Sequence, residues 1–144
     1  MIITFCGHSD FQCSAEYERK ILDLLEEKIG DAFAELYLGG YGAFDRFAYD
    51  CCKKFQKSHQ NVKLVFITPY ITAKQQELLY DATVYPEIED KPLKFAISYR
   101  NKWMVQKADY VIAFIERSFG GAYQTYKYAK SMGKKIFNIA GKDI

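Results

Sequence analysis

The sequence predicts an α/β protein built on an open, mainly parallel sheet. Short β-rich apolar runs alternate with longer amphipathic stretches, the pattern of strands joined by crossover helices. One run, Tyr110-Val111-Ile112-Ala113-Phe114-Ile115, is continuously hydrophobic, as a strand covered on both faces must be. No stretch of the 144 residues reads as a linker, a repeat or a low-complexity tract, so residues 1–144 are expected to form one domain.

Ile2–Phe5 is the first strand. Ser14 can cap a helix whose apolar residues, Tyr17, Ile21, Leu24, Leu25 and Ile29, form one stripe that Gly30 ends. Glu35–Leu38 is the second strand. Phe44, Phe47, Ala48, Cys51, Cys52 and Phe55 then fall on one face of a helix that runs to about Ser58. Val62–Ile67 is the third strand, followed by a short helix around Ala73–Tyr80 and a brief strand near Thr83–Tyr85. Leu93, Ile97, Arg100 and Met104 share a helical face and precede the Tyr110–Ile115 strand. Gly121–Met132 is the last helix, stopped by Gly133, and Lys135–Ile139 the last strand. The result is a Rossmann-like three-layer sandwich with five or six strands.

Composition narrows the function. Nearly half the residues (49%) are hydrophobic, with 12 Tyr, 11 Phe and one Trp, enough to bury a real core. Twenty Lys and Arg face 18 Asp and Glu, a net charge of +2 with interspersed signs, so nucleic acid is not the expected partner. The longest apolar run is far short of the roughly 20 residues that span a bilayer. The first residues carry no positive segment, and the chain is expected in the cytoplasm with no membrane partner. Cys6, Cys13, Cys51 and Cys52 form no CxxC pair and are expected to be free thiols, with no metal or cofactor. So many aromatics are also compatible with a homodimer.

In an open sheet of this kind ligands lie beyond the carboxyl ends of the strands. The loops there are Gly7-His8-Ser9-Asp10, Gly39-Gly40-Tyr41-Gly42-Ala43-Phe44-Asp45, Thr68-Pro69-Tyr70 and Glu116-Arg117-Ser118-Phe119-Gly120-Gly121. Two diglycines, each just before an amphipathic helix, would let backbone N–H groups approach a phosphate at a helix start. Turn geometry alone also asks for glycine at such places. Neither loop has GxGxxG spacing, and GxxxxGK[ST] is absent, which disfavours ordinary dinucleotide dehydrogenases and P-loop enzymes.

Arg100 lies within a helix stripe that should face the protein, where a guanidinium needs a partner. Two partners are open: an internal acid such as Asp45 or Asp109, or a ligand phosphate or carboxylate. Asn101 beside it can read a base or ribose edge. Asp45, in a first helical turn, has the helix dipole as sufficient reason to be there, and can equally accept from ribose hydroxyls. His8 is a hydrogen-bonding spacer more readily than an acid or base, since no nucleophile or carboxylate is fixed beside it. Tyr41, Tyr70 and Phe119 are the aromatics best placed to stack a base.

Taken in order, four motifs resemble a known group. They are Cys6-Gly7-His8-Ser9; Leu38-Gly39-Gly40-Tyr41-Gly42-Ala43-Phe44-Asp45; Tyr99-Arg100-Asn101-Lys102-Trp103 with Ala108-Asp109-Tyr110; and Gly120-Gly121-Ala122-Tyr123-Gln124-Thr125. Together they are similar to the SLOG superfamily, specifically its small YpsA-like bacterial and phage members, over nearly the whole chain. The resemblance implies a Rossmannoid domain that binds a nucleotide or nucleotide-derived ligand, a nucleoside monophosphate or ADP-ribose-like molecule, as a sensor or binding module. Its ligand contacts would come from Gly7, His8, Gly39, Gly40, Gly42, Asp45, Arg100, Asn101, Gly120 and Gly121. Relatives in that superfamily include the lonely-guy phosphoribohydrolases, which cleave nucleoside monophosphates, and DprA-type proteins, which hold single-stranded DNA. The hydrolases carry PGGxGTxxE with a catalytic glutamate; here Lys127 stands at the glutamate position, so turnover is left open. Hydrolysis is the alternative function and single-strand binding a third, disfavoured by the charge count.

Overall fold

Alternation along the central strand sets the layers. In β1 (Ile2–Gly7) Ile3 and Phe5 point to one face, where they pack with Ile21 and Leu25 of α1 (Ala15–Lys28) and with Phe44 and Ala48 of α2 (Ala43–Gln56). Cys6 points to the other face and clusters with Val105 of α3 (Ala96–Lys107) and with Tyr126 and Ala129 of α4 (Gly121–Ser131). Ile3, Leu36, Leu64 and Ile112 are almost wholly buried. Each such side chain contributes about 1.5–3 kcal/mol on leaving water, so the middle of the sheet anchors the rest. The computed structural model describes residues 1–71 and 79–144; the helix expected around Ala73–Tyr80 falls mostly on residues 72–78 and lies outside the described residues.

The remaining strands are β2 (Ala34–Leu38), β3 (Val62–Ile67), β4 (Ala82–Val84), β5 (Tyr110–Phe114) and β6 (Lys135–Asn138). They form one all-parallel sheet in the order β4-β3-β2-β1-β5-β6. This is a Rossmann-like α/β fold with helices on both faces, as the sequence predicts, and the brief strand near Thr83 supplies the sixth strand. From β1 the chain steps outward through β2, β3 and β4, then returns to lay β5 against the opposite edge of β1, with Gly7 opposite Phe114. The reversal between β1 and β5 opens a crevice at their carboxyl ends.

Local signals place the helices. Ser14 Oγ accepts a hydrogen bond from the Tyr17 N–H at 3.2 Å and starts α1 where expected, while Gly30 ends it at φ +52°. Cys51 and Cys52 are both buried under α2, and all four cysteines are free thiols. The third helix departs from its expected face. Leu93 is 75% exposed in a 3₁₀ turn, Leu93–Phe95, and Ile97 is 39% exposed; the buried stripe is Ala96, Arg100 and Met104, four apart. Leu93 lies ahead of the α-helix proper, in a 3₁₀ turn none of whose residues is buried. Among the described residues no helix is long and apolar enough to cross a membrane.

One contact fixes how the first loop leaves the sheet. A Cβ on Gly7 would lie 2.3 Å from Phe44 Cγ, and Phe44 is fully buried, so Gly7 is a glycine for packing reasons. Gly7→Ala is expected to cost about 1–3 kcal/mol through overpacking, read as a lower urea midpoint at unchanged slope; an unshifted midpoint would show that the Phe44 ring yields freely.

Candidate functional site

The crevice is a cleft of about 310 Å³ whose walls come from the end of β1, the loops after β1, β2 and β5, and three helices, α2, α3 and α4. Of the sequence-predicted residues, Gly7, His8, Gly42, Asp45, Arg100, Asn101, Gly120 and Gly121 line it. Gly39 and Gly40 stand behind the wall. The carbonyl of Gly39 anchors Arg100, and Gly40 turns the chain at φ +75°.

Two glycines shape the cleft rim in the same way. Gly42 (φ 89°, ψ 167°) and Gly120 (φ 94°, ψ 171°) are the N-caps of α2 and α4, in a backbone region that glycine alone occupies comfortably. Neither start is capped by a side chain, so partial positive charge is left at both, beside the cleft. The Ala43 N–H donates to Ser9 O at 3.1 Å, drawing the loop after β1 against the loop after β2. At Gly121 an added Cβ would meet nothing within 4 Å, so open space lies directly in front of α4.

Arg100 is 1% exposed, and among the described residues it is not paired with an internal acid at salt-bridge distance. Its Nη1 donates to Gly39 O at 2.7 Å and to Ile67 O at 2.6 Å, and its Nε to Asn101 Oδ1 at 2.9 Å. Asp109, one of the two acids weighed from sequence, instead accepts from the Ile2 N–H at the far end of the sheet. Asp45, the other, accepts from the Tyr41 N–H at 3.0 Å and faces Arg100 across the bare Cα of Gly39. A Cβ there would lie 3.0 Å from Asp45 Oδ2 and 3.1 Å from Arg100 Nη2, so the bare Gly39 leaves room for both charged groups to pack against the same stretch of backbone. The Tyr41 ring lies 5.6 Å from the guanidinium carbon, a cation–π contact.

A polar relay runs on from Arg100. Asn101 Nδ2 donates to Thr125 Oγ1 at 3.3 Å, and Thr125 Oγ1 donates to Gly121 O at 3.1 Å, coupling the guanidinium to the first turn of α4. Thr125 and Arg117 both line the cleft, and sequence reasoning singled out neither as a site residue. Thr125 has a readable signal, four residues after Gly121 on the same helical face. Arg117 has none, because its role comes from a long-range fork: Nη1 and Nη2 bind Asp10 Oδ2 and Oδ1 at 3.2 and 3.0 Å. Its Nε is buried without a hydrogen-bond partner among the described residues.

His8, 2% exposed, accepts at Nε2 from the Glu116 N–H at 3.1 Å and so carries its proton on Nδ1. Burial, with the Arg117 charge adding, holds its pKa below the ordinary imidazole value, which keeps it a neutral bridge between the loops after β1 and β5. The Cys6 thiol is pushed up to about 12 by burial, reinforced by Asp45, and is chemically inert. Burial raises the Asp45 carboxyl to about 6, against the opposing pull of Arg100 and of the Tyr41 hydrogen bond. Among the described residues Asp45 is the only carboxylate on the cleft wall.

Fold and cleft together define a Rossmann-like protein with a glycine-rimmed, arginine-floored crevice at its topological switch point. The chain is similar in structure to DNA processing protein A (DprA) from Streptococcus pneumoniae, with a TM-score of 0.63 and 17% identity over 94% of this chain and 49% of that one. It is likewise similar to DNA processing protein A from Helicobacter pylori, a protein with a single-stranded DNA binding mode, at a TM-score of 0.64 and 17% identity over 96% and 64% of the two chains. This chain thus spans about half of the first protein's length and under two thirds of the second's. No protein-family model and no curated protein matches it.

The expectation that nucleic acid is not a partner is overturned, since a protein of this fold has a single-stranded DNA binding mode. The reason lies in how charge is distributed. Residues 1–90 hold nine Lys and Arg against fifteen Asp and Glu, a net of −6, whereas residues 91–144 hold eleven against three, a net of +8. Helices α3 and α4 pack together on one face with Lys102, Lys107, Lys127 and Lys130, besides the buried Arg100, and no acid at all. A net charge of +2 hides that face.

The Asp45 shift gives a stability prediction. Because the folded-state pKa lies above the unfolded value of 3.8, the contribution is full below pH 3.8 and is lost as pH rises through about 6. Asp45→Asn is therefore expected to gain stability relative to wild type across that window, by no more than about 3 kcal/mol. Urea melts at pH 4 and pH 7 check it, and a difference independent of pH counts against the raised carboxyl.

Proposed function

We propose that the cleft binds a nucleotide or nucleotide-derived ligand through its phosphate, in the manner of a sensor or binding module of the SLOG type. The observation that carries this reading is the convergence of two side-chain-uncapped helix starts and a buried arginine on one cavity. The N–H groups at Gly120-Gly121 and Gly42 suit phosphate oxygens, and Arg100 neutralises the charge from below. Asn101 and Asp45 suit ribose hydroxyls. The Tyr41 ring, beside the guanidinium, suits the base.

A second reading, hydrolysis of the N-glycosidic bond of a nucleoside monophosphate, is favoured by one observation: the cleft holds a carboxyl raised to about 6, a value suited to proton transfer. Lys127, at the position of the hydrolases' glutamate, lines the groove between α3 and α4 and not this cleft. Incubation with a panel of nucleoside monophosphates and chromatography for free base separates the two readings; base release abolished in Asp45→Asn would establish hydrolysis.

Calorimetric titration with AMP and ADP-ribose tests the binding reading. Gly121→Ala is the informative variant, because the new methyl meets open space and the protein keeps its melting temperature. It is expected to weaken binding about tenfold by filling the place of a phosphate oxygen. Arg100→Ala is expected to lose binding altogether, with some stability, since Gly39 O and Ile67 O are left unpaired. Absence of binding to wild type at millimolar ligand would falsify the reading.

A further inference from the structure

The cleft does not end at α4. Ile97, Asn101, Gly121 and Thr125 form a wall shared with a second, larger hollow of about 540 Å³ that runs between α3 and α4. Ser98, Lys102, Gln124, Lys127, Tyr128 and Ser131 complete its lining: two cations, four neutral polar side chains and, among the described residues, no carboxylate. Among those residues neither Lys102 nor Lys127 forms an ion pair. Lys102 Nζ lies 5.6 Å from the Tyr128 ring centroid, and that ring is fixed by the hydrogen bond from Gln106 Nε2 to its hydroxyl at 2.8 Å. One of the two ammonium groups is thus positioned over a held aromatic surface, on a face whose two helices contain no acid.

We infer that this groove is a second phosphate subsite, and that the ligand is a phosphodiester-linked chain with one nucleotide in the cleft and its next phosphate between Lys102 and Lys127. The inference rests on the nucleotide reading of the cleft and deepens it. The shared wall is what joins the subsites. Asn101 and Thr125 touch both hollows and are hydrogen-bonded to each other, so a ligand leaving the Gly120-Gly121 turn passes polar side chains directly into the cationic groove. A mononucleotide has no group to place there. Neither has ADP-ribose, whose two phosphates are adjacent and belong together at the helix starts.

The experiment compares AMP, ADP-ribose and the 5′-phosphorylated dinucleotide pApA by calorimetry, with a 5′-phosphorylated hexadeoxyadenylate as the single-stranded arm. The proteins are wild type and the exposed double variant Lys102→Glu with Lys127→Glu, whose folding is checked by circular dichroism and melting. Wild type is expected to bind pApA at least tenfold tighter than AMP or ADP-ribose. The double variant is expected to lose that gain while AMP affinity changes less than twofold. For the hexanucleotide, the dependence of log K on log salt should become shallower in the double variant by about 0.7 for each phosphate that a lysine no longer neutralises. A pApA gain matched by ADP-ribose, or one surviving in the double variant, overturns the groove and leaves the cleft standing. Binding of pApA without any binding of AMP, abolished in the double variant, upholds the groove and removes the cleft reading. Failure of every ligand removes both.

Discussion

The structure depends on a buried guanidinium. Arg100 enters from α3 and donates to the carbonyls that end β2 and β3, at Gly39 and Ile67, so one side chain ties two strand ends to a helix on the opposite layer. A buried charge without such partners would cost several kcal/mol. Here two carbonyls, the Asn101 amide oxygen and the Tyr41 face satisfy it, while Asp45 balances it from across Gly39. The cleft floor is therefore charged before anything enters. Because Asp45 is not at salt-bridge distance from the guanidinium, the positive charge is compensated only in part.

The framework was legible because it is written in local periodicity. Strand-length apolar runs, the Ser14 cap and the terminating glycines place the described strands and helices to within a few residues, and parallel order follows from alternation of strand and helix. The cleft was legible as far as strand-end loops and diglycines reveal it. What escaped depends on contacts between distant residues. Nothing near Arg117 predicts its fork with Asp10, and nothing near Gly39 predicts that a side chain there would crowd both Asp45 and Arg100. Leu93 departs for a different reason: periodicity does not show where a helix begins to pack, and Leu93 falls in the unburied 3₁₀ turn before α3. Gly7 lines the cleft, and what the sequence did not reveal is that its missing Cβ also makes room for the ring of Phe44.

Charge is where averaging over the chain is most deceptive. The two layers divide the ionisable residues unevenly: α1 alone holds Glu16, Glu18, Asp23, Glu26 and Glu27, while α3 and α4 hold no acid. With α1 and α2 on one side of the sheet and α3 and α4 on the other, the two parts of the sequence become two faces, so a modest imbalance between them becomes a polarised sandwich. Long-range attraction of a polyanion depends on that local field and not on the total, within a Debye length of about 10 Å. The cleft sits where the basic layer meets the strand ends, so the lysines of that layer and the helix starts contribute field of the same sign at its mouth.

Gly42 and Gly120 hold one more consequence. Inverting the signs of their dihedrals gives values in the extended region that ordinary L-residues prefer, so at these two points the backbone is locally of mirror hand. At Gly120 no crowding forbids a side chain, and torsion alone excludes one. A chemically synthesised chain carrying D-alanine there would adopt these torsions without backbone strain, whereas its natural enantiomer would be strained in them. Among encoded amino acids, the achiral one is the sole choice at both thresholds, and stereochemistry protects them independently of whatever occupies the crevice.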